Sequence, residues 1–323
     1  MKKITNFIID QKLIIIIIVL IIALSVEDKS FFTVKSLASI LEHATIIGIM
    51  AAGMTVLLIS GSFDLSVGSV MAFTGIITIM LQKPLGLFLS VLIGLIAGTM
   101  VGVINGLLVV KGRINAFIAT LGTMVIFKGF GLALTGSSPV KGTIAAYQFI
   151  GQGQVFGVDI TLFYLIAIFI IVWYLLKYTK FGRNDYAIGG NILSARLSGI
   201  NVNLYTLYYF VFCAFTAAVS GIILSSRVNT GNAVFGDTTN LTVIAAAVLG
   251  GTSLFGGKGG VIGTIQGVII LGLIERAMVV FNVDTNYQLL VRGIIILFVV
   301  VTDAVTSRRK KLDIEKGVME KGA

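Results

Sequence analysis

The chain is poor in the residues that most catalytic and metal sites need. Its 323 residues include one cysteine, Cys213, and one histidine, His43. A single cysteine can form neither an internal disulfide nor a cysteine metal cluster. A single histidine beside Glu42 supplies neither a metal triad nor a nucleophile with a positioned base. We therefore expect a protein that is not an enzyme and that has no metal site.

Charged residues are scarce as well, at 12% of the chain, whereas hydrophobic residues make up 57% and the mean hydropathy is +1.04. This composition excludes a soluble globular domain. The formal net charge of +10 could suggest nucleic-acid binding. However, the basic residues lie between apolar runs and at the tail, where they act as topology signals. We predict an all-α polytopic membrane protein that has lipid, and no nucleic acid, as a partner.

Apolar runs near the length that crosses a bilayer define about ten candidate spans. The first run has the basic start of a signal peptide. Charged residues follow it directly in place of a small-residue cleavage site, so we expect a retained helix. The spans are Ile8 to Val26, Leu37 to Ile59, Val67 to Gln82, Leu85 to Val110, Ile114 to Leu134, Ile160 to Leu176, Leu204 to Ser226, Leu241 to Phe255, Gly260 to Phe281 and Tyr287 to Val305.

The basic residues orient this arrangement. A cytoplasmic N-terminus places most lysines and arginines in inside loops and tails, as membrane topology requires. Both termini are then cytoplasmic, and the whole of 1–323 forms one transmembrane domain. A polar segment, 177–203, and a basic tail, 306–323, lie inside. The longest outside loop runs from Thr135 to Asp159.

Two of the predicted spans are too short to cross a bilayer upright, and each adjoins a glycine-rich break. Val67 to Gln82 adjoins the first break, Gly61 to Ser69, and Leu241 to Phe255 adjoins the second break, Gly250 to Gly260. Interrupted helices in matching places are typical of transport paths, because unwound backbone is tolerated only where it lines a cavity or is buried in protein. Ordinary cytoplasmic turns are the alternative interpretation.

Glycine is abundant, with 38 residues, and its pattern indicates helix packing. Gly94, Gly98 and Gly102 share one helix face, where they allow backbones to approach closely. The second break, GGTSLFGGKGG, does not fit a phosphate-binding loop, because Thr252 stands where the first glycine is needed and Gly259 where Ser or Thr should bind magnesium. We expect no nucleotide site in this chain.

The polar segment 177–203, KYTKFGRNDYAIGGNILSARLSGINVN, predicts a docking surface. Asn191 can cap a short helix over Ile192 to Ser198, and Gly199 can close it. An isolated helix of about two turns is unstable in water, so we expect it to pack against a partner. The alternative is a tethered loop at the membrane interface. The segment is basic, with Lys177, Lys180, Arg183 and Arg196.

Four of the charged residues within or beside the predicted spans could take part in transport. Glu275 and Arg276 fall in the ninth span, Arg292 near the start of the tenth, and Asp64 in the first break. Ionisable groups at such positions face the bundle or a watery path. A pairing of Glu275 with Arg292, or one involving Asp64, would make them structural. The alternative is a proton or ion relay.

Four ordered stretches of the chain are similar to one known family: SGSFDLSVGSVMAFTG, NGLLVVKGRINAFIATLGTM, FGRNDYAIGGNILSARLSGINV and VLGGTSLFGGKGGVIGTIQG. Together they resemble the permease subunits of ribose-type ABC importers. The resemblance implies a bacterial inner-membrane subunit paired with a second copy or a paralogue. It also implies a cytoplasmic ATPase with two nucleotide-binding cassettes, which holds the ATP and magnesium, and an extracytoplasmic solute-binding protein. This chain itself is expected to bind no cofactor.

The resemblance also assigns roles to residues. The segment 177–203 corresponds to the family's coupling region, and polar side chains near the inferred path could bond sugar hydroxyls. For the latter set, helix packing and capping of the helix that follows Asp64 remain alternatives. The expected contacts with the ATPase are Gly182, Arg183, Gly190, Asn191, Arg196 and Gly199. The expected path residues are Asp64, Ser66, Ser69 and Asn105.

The expected function is therefore a permease for a monosaccharide, with ribose first. Another sugar, an autoinducer-type sugar or a nucleoside is the alternative within the family. A gradient-driven secondary transporter or channel is the alternative from another class. That second class predicts functional intramembrane charges and a dispensable segment 177–203, whereas an importer permease predicts the reverse.

Overall fold

The computed structural model describes residues 12–27 and 33–322, with side chains at 13–26, 33 and 44–305. Residues 8–11 of the first predicted span and the side chains of His43 and of the basic tail lie outside that part. The helices are α1 (Lys12–Glu27), α2 (Val34–Ile59), α3 (Val67–Val110), α4 (Ala116–Thr135), α5 (Phe149–Gln152), α6 (Ile160–Tyr178), α7 (Lys180–Gly190), α8 (Ile192–Leu197), α9 (Val202–Val228), α10 (Thr239–Leu249), α11 (Val261–Val280) and α12 (Thr285–Gly322).

Six described helices are long and apolar enough to cross a membrane: α3, α4, α6, α9, α11 and the Thr285–Val305 part of α12. Shorter apolar stretches, Leu13–Val26, Ala44–Ile59 and Thr239–Leu249, lie in α1, α2 and α10. The structure confirms a mostly helical, multi-pass membrane protein.

Helix α3 is a hairpin. Its 44 residues would measure about 66 Å if straight, roughly twice the hydrocarbon thickness of a bilayer. The helix breaks at Gly86, where φ is +73°, two residues after a proline. Beyond the break Gly94 packs against Thr78 and Gly98 against Thr74, so the second arm runs back along the first. The two arms correspond to the predicted third and fourth spans.

The core lies where α2, the two arms of α3 and α9 pack together. Gly102 lies against Ala214 and the backbone of Phe210 in α9. With Gly94 and Gly98 packed on the first arm of α3, the predicted glycine face is confirmed as a helix-packing surface. Because glycine has no side chain there, the helix backbones approach closely and make many dispersion contacts.

Helix α10 is shorter than the predicted span from Leu241 to Phe255. It ends at Leu249, because the backbone at Gly251 has a φ of +90°, which a helix cannot accommodate. Its 11 residues cover about 17 Å, little more than half of the hydrocarbon core.

One end of the bundle carries four short strands. Strand β1 (Val140–Lys141) pairs antiparallel with β4 (Thr230–Gly231), and β2 (Gln154–Val155) pairs antiparallel with β3 (Val158–Asp159). A 3₁₀ turn, Ala145–Gln148, lies between them and buries Tyr147 completely. The hydroxyl of Tyr147 lies 3.0 Å from the carbonyl oxygen of Ile222 in α9. The longest predicted loop is thus ordered against the bundle.

Candidate functional site

Helix α7 is attached to the bundle through two hydrogen bonds, one at its start and one near its middle. The Tyr209 hydroxyl of α9 donates to the carbonyl oxygen of Phe181 at 3.0 Å. The Tyr186 hydroxyl donates to the carbonyl oxygen of Gly259, in the second break, at 2.9 Å. These two hydrogen bonds join α7 to α9 and to the second break.

Helix α8 follows α7 and projects from the surface. The Asn191 side-chain oxygen accepts a hydrogen bond from the Ser194 N–H at 3.0 Å, and Gly199 has a φ of +79° beyond the last turn. This confirms the predicted helix limits to within one residue. Of the six side chains of α8, that of Ala195 is buried and the other five are exposed. The helix is therefore held at one point and presents the rest of its surface outward.

Five of the six residues expected to contact an ATPase are exposed on this surface, namely Arg183, Gly190, Asn191, Arg196 and Gly199. The sixth, Gly182, is buried, and a Cβ there would clash with the backbone of Leu176. Sequence reasoning missed the apolar side chains of Ile192, Leu193 and Leu197, which are 50%, 66% and 81% exposed. The sequence does contain a signal for these side chains. Leu193 and Leu197 lie four residues apart, so they share one face of a helix within an otherwise polar segment.

Glycine backbones join α7 to both breaks at one place, which we name the glycine junction (Gly61, Gly189, Gly190, Gly256 and Gly257). A Cβ on Gly189 would clash with the carbonyl oxygen of Ile59, and one on Gly256 would lie 2.9 Å from the Cα of Gly61. The Gly257 N–H donates to the Ile59 carbonyl oxygen at 2.8 Å. The end of α2, the end of α7 and the second break therefore touch through bare backbone.

The first break carries a buried polar network (Asp64, Ser66, Asn105 and Thr123). The Asp64 carboxylate accepts from the Ser66 N–H at 2.7 Å, the Ser66 hydroxyl at 2.6 Å and the Asn105 amide at 3.0 Å. The Thr123 hydroxyl of α4 donates to Asn105 at 2.7 Å. No sequence signal singled out Thr123. The fourth expected path residue, Ser69, donates to the Ser66 carbonyl oxygen at 2.8 Å.

Two of the interior charges, Glu275 and Arg292, form an ion pair. Arg292 Nε lies 3.1 Å from Glu275 Oε1, although the N–H is not directed at that oxygen, so the contact is an ion pair without an aligned hydrogen bond. The predicted pairing of Glu275 with Arg292 is confirmed. Asp64 instead takes its hydrogen bonds from Ser66 and Asn105.

The multi-pass bundle with two glycine-rich helix breaks and a projecting surface helix is a membrane permease in class. The chain belongs to the family described as branched-chain amino acid transport system / permease component, which matches residues 36–300. It is 37% identical to the ribose import permease protein RbsC of Haemophilus influenzae, over 95% of this chain and 97% of that protein. Identity to RbsC of Bacillus subtilis is 38%, over 88% and 89% of the two chains.

The L-arabinose transport system permease protein AraH of Escherichia coli is also 37% identical, over 93% of this chain and 92% of that protein. No solved structure matches the chain.

Proposed function

We propose that this chain is the membrane permease subunit of an ATP-driven ABC importer for a monosaccharide, with ribose as the solute. The observation that carries the subunit role is helix α8, capped at Asn191 and exposed on its outward side. The choice of ribose is supported by the ribose import permeases among its relatives. Because an L-arabinose permease is similarly close, another sugar, an autoinducer-type sugar or a nucleoside remains the alternative.

The proposed partners are a cytoplasmic ATPase with two cassettes, an extracytoplasmic solute-binding protein and a second permease copy or paralogue. The ATPase would hold the ATP and magnesium, and this chain would bind neither. Closure of the cassettes on ATP would move α8, and α7 would carry that movement to the glycine junction. Small shifts at such a packed contact are amplified because interfaces switch between discrete arrangements.

The proposed topology has ten crossings and both termini in the cytoplasm of a bacterial cell. The two arms of α3 count as two crossings. The two breaks touch where Gly256 lies against Gly61. In this topology both breaks lie on the cytoplasmic side, the side that carries α7 and α8.

Asp64, Ser66, Ser69 and Asn105 are proposed to form part of the wall of the path. Asp64, Ser66 and Asn105 are hydrogen-bonded to one another. These hydrogen bonds favour a role in positioning the wall of the path over a direct contact with the sugar. Direction of pumping would come from the different affinities of the two transporter states for ATP, binding protein and solute.

The coupling role is tested by charge reversal in proteoliposomes that contain the permease, the ATPase and the binding protein. We expect Arg196→Glu to weaken ATPase binding about thirtyfold, which corresponds to the loss of one interface hot spot of about 2 kcal/mol. ATP-driven ribose uptake should fall with it, while expression and thermal stability stay the same. Lys141→Glu is the matched control. It reverses the same charge on exposed strand β1, away from α8, and should leave uptake intact.

Normal uptake by a well-expressed Arg196→Glu protein would refute the coupling assignment. Ribose entry without ATPase or ATP would favour a gradient-driven transporter instead. The solute is tested by competing labelled ribose with unlabelled arabinose and nucleosides. If another compound competes more strongly than unlabelled ribose, that compound becomes the proposed solute, and the importer role is unaffected.

A further inference from the structure

The hairpin of β2 and β3 carries a backbone conformation that its sequence disfavours. Its two-residue turn is Phe156–Gly157, and both residues have positive φ, +53° and +77°. Tight turns of this kind favour Asn, Asp or Gly at both positions. A bulky side chain at positive φ is a genuine outlier. Phe156 therefore occupies a turn position that favours Asn, Asp or Gly.

The same phenylalanine is almost fully exposed. Phe156 is 99% exposed, and two apolar neighbours, Phe149 and Val158, are 56% and 39% exposed. A strained and uncovered aromatic side chain at the tip of an ordered hairpin indicates a contact with something outside this chain.

The hairpin itself is firmly attached to the bundle. Asp159, the last residue of β3, caps α6 by accepting from the Thr161 N–H at 2.9 Å. Its other carboxylate oxygen lies 3.4 Å from an Arg227 guanidinium nitrogen at the end of α9. The tip therefore holds a fixed position relative to the start of α6.

The exposed side chains of α6 indicate that lipid surrounds the hairpin. Phe163, Ile166 and Ile170 on α6 are 44%, 48% and 58% exposed, so one side of this apolar helix faces lipid. The hairpin thus stands at the end of a helix on the lipid-facing edge of the bundle.

The dimensions place the tip in the interfacial layer of the bilayer. The 19 residues of α6 span about 28 Å, close to the hydrocarbon thickness of about 30 Å, so its first turn lies near the hydrocarbon edge. Two-residue strands extend the hairpin by about 7 Å. The headgroup layer on each side is roughly 5–7 Å thick.

We propose that the β2–β3 hairpin is a membrane-interface anchor whose Phe156 ring lies in the lipid headgroup layer. Phenylalanine is among the apolar side chains that anchor segments lying in the membrane interface. The anchor fixes the depth of α6, and the other end of α6 leads into α7. The inference depends on the multi-pass character of the protein and is independent of the transported solute.

The test places one tryptophan at the tip of the full-length protein in phospholipid vesicles. The chain has a single tryptophan, Trp173, so Trp173→Phe provides a silent background. In that background we expect Phe156→Trp to show blue-shifted emission and protection from iodide. Lipids brominated near the headgroup should quench it more than lipids brominated at the chain ends.

Phe163→Trp, on the lipid-facing side of α6, is the matched reference for a buried lipid contact, and free N-acetyltryptophanamide is the reference for water. Iodide quenching equal to the water reference, with no quenching by brominated lipid, would overturn the proposal. Shielding that develops only when a solute-binding protein is added would also overturn it, in favour of a protein contact. Should Phe156→Trp fail to fold, Val158→Trp on the same hairpin reports the same layer.

Discussion

At the scale of single residues, the buried carboxylate of Asp64 shows how polar groups are stabilised inside this bundle. It accepts hydrogen bonds from Ser66 and Asn105, and Asn105 accepts from Thr123. A buried polar atom without a partner costs about 1–3 kcal/mol, so the whole chain of donors is needed. Because Asn105 lies in α3 and Thr123 in α4, the network also joins two helices.

We expect Thr123→Val to lower the free energy of unfolding by about 1–3 kcal/mol, because it leaves the buried Asn105 oxygen without its donor. Thermal unfolding in detergent measures the change. Thr99→Val is the matched control, since the Thr99 hydroxyl bonds only to Leu95 within its own helix. Equal losses from the two variants would contradict a special role for the network. Full stability with abolished uptake would instead make Thr123 part of the solute path.

Asp185 is a second buried carboxylate, but unlike Asp64 it lacks hydrogen-bond donors among the described residues. Its side chain on α7 is fully buried, and neither carboxylate oxygen has a hydrogen-bond partner among the described residues. Tyr186 and Tyr209 lie nearby and supply no positive charge. Burial in this apolar place therefore raises the pKa of Asp185 well above its usual value of 3.8.

This raised pKa predicts a pH-dependent stability. The folded state holds a proton on Asp185 that the unfolded state has released, so the contribution is complete below about pH 4 and is lost as pH rises through the folded-state pKa. We expect the unfolding temperature of the unmodified protein to fall, relative to that of Asp185→Asn, as the pH rises above about 4 towards the raised folded-state pKa. Asp284→Asn, at an exposed helix cap where asparagine also caps well, should keep the parent profile. Identical profiles for parent and Asp185→Asn would refute a protonated Asp185.

At the scale of elements, α7 is the link between the outward face of α8 and the interior of the bundle. Tyr186 bonds it to the second break, and Gly189 lies against the end of α2. These contacts join α7, which leads to the exposed helix α8, to the second break and to the end of α2 through a hydrogen bond and backbone packing. A rigid link of this kind can pass a displacement from the surface to the core.

Gly189→Ala should disturb this link, because the added methyl group would clash with the carbonyl oxygen of Ile59. We expect a loss of about 1–3 kcal/mol in unfolding free energy, as overpacking produces, together with reduced ATP-driven uptake. Gly190→Ala is the matched control for stability, since a methyl group there meets no atom within 4 Å. Similar unfolding temperatures for the two variants would refute the tight junction.

At the scale of the whole molecule, the number of membrane crossings depends on the short helix α10. Its 11 residues do not reach the length of a full upright crossing. The proposed ten-crossing topology counts α10, with the adjoining second break, as one crossing. If α10 did not cross, everything after it would lie on the opposite side of the membrane.

Cysteine labelling tests this topology. In a Cys213→Ala background we expect a membrane-impermeant maleimide, added outside intact cells, to label Ser138→Cys and Asn286→Cys. We expect Ser198→Cys to react only in inverted vesicles. Cys213 is fully buried, so its removal should not alter the exposed surfaces. Labelling of Asn286→Cys from the inside, with Ser138→Cys outside, would show that α10 does not complete a crossing.

The sequence by itself determined the features that depend on neighbouring residues. The apolar runs predicted the helices, the run of glycines predicted the second break, and Asn191 with Gly199 predicted the limits of α8. Each signal is local, because hydropathy, capping and backbone freedom act within a few residues along the chain. The four quoted motifs likewise led to the permease family.

Only the tertiary structure decided which distant groups meet. It brought Thr123 to Asn105, buried Asp185 without a hydrogen-bond partner among the described residues, and placed Gly189 against Ile59 and Gly257. It also stopped α10 at Leu249, short of the predicted Phe255. These outcomes depend on how helices pack across long sequence separations. Hydropathy records that a segment is buried, but it does not record which segment it is buried against.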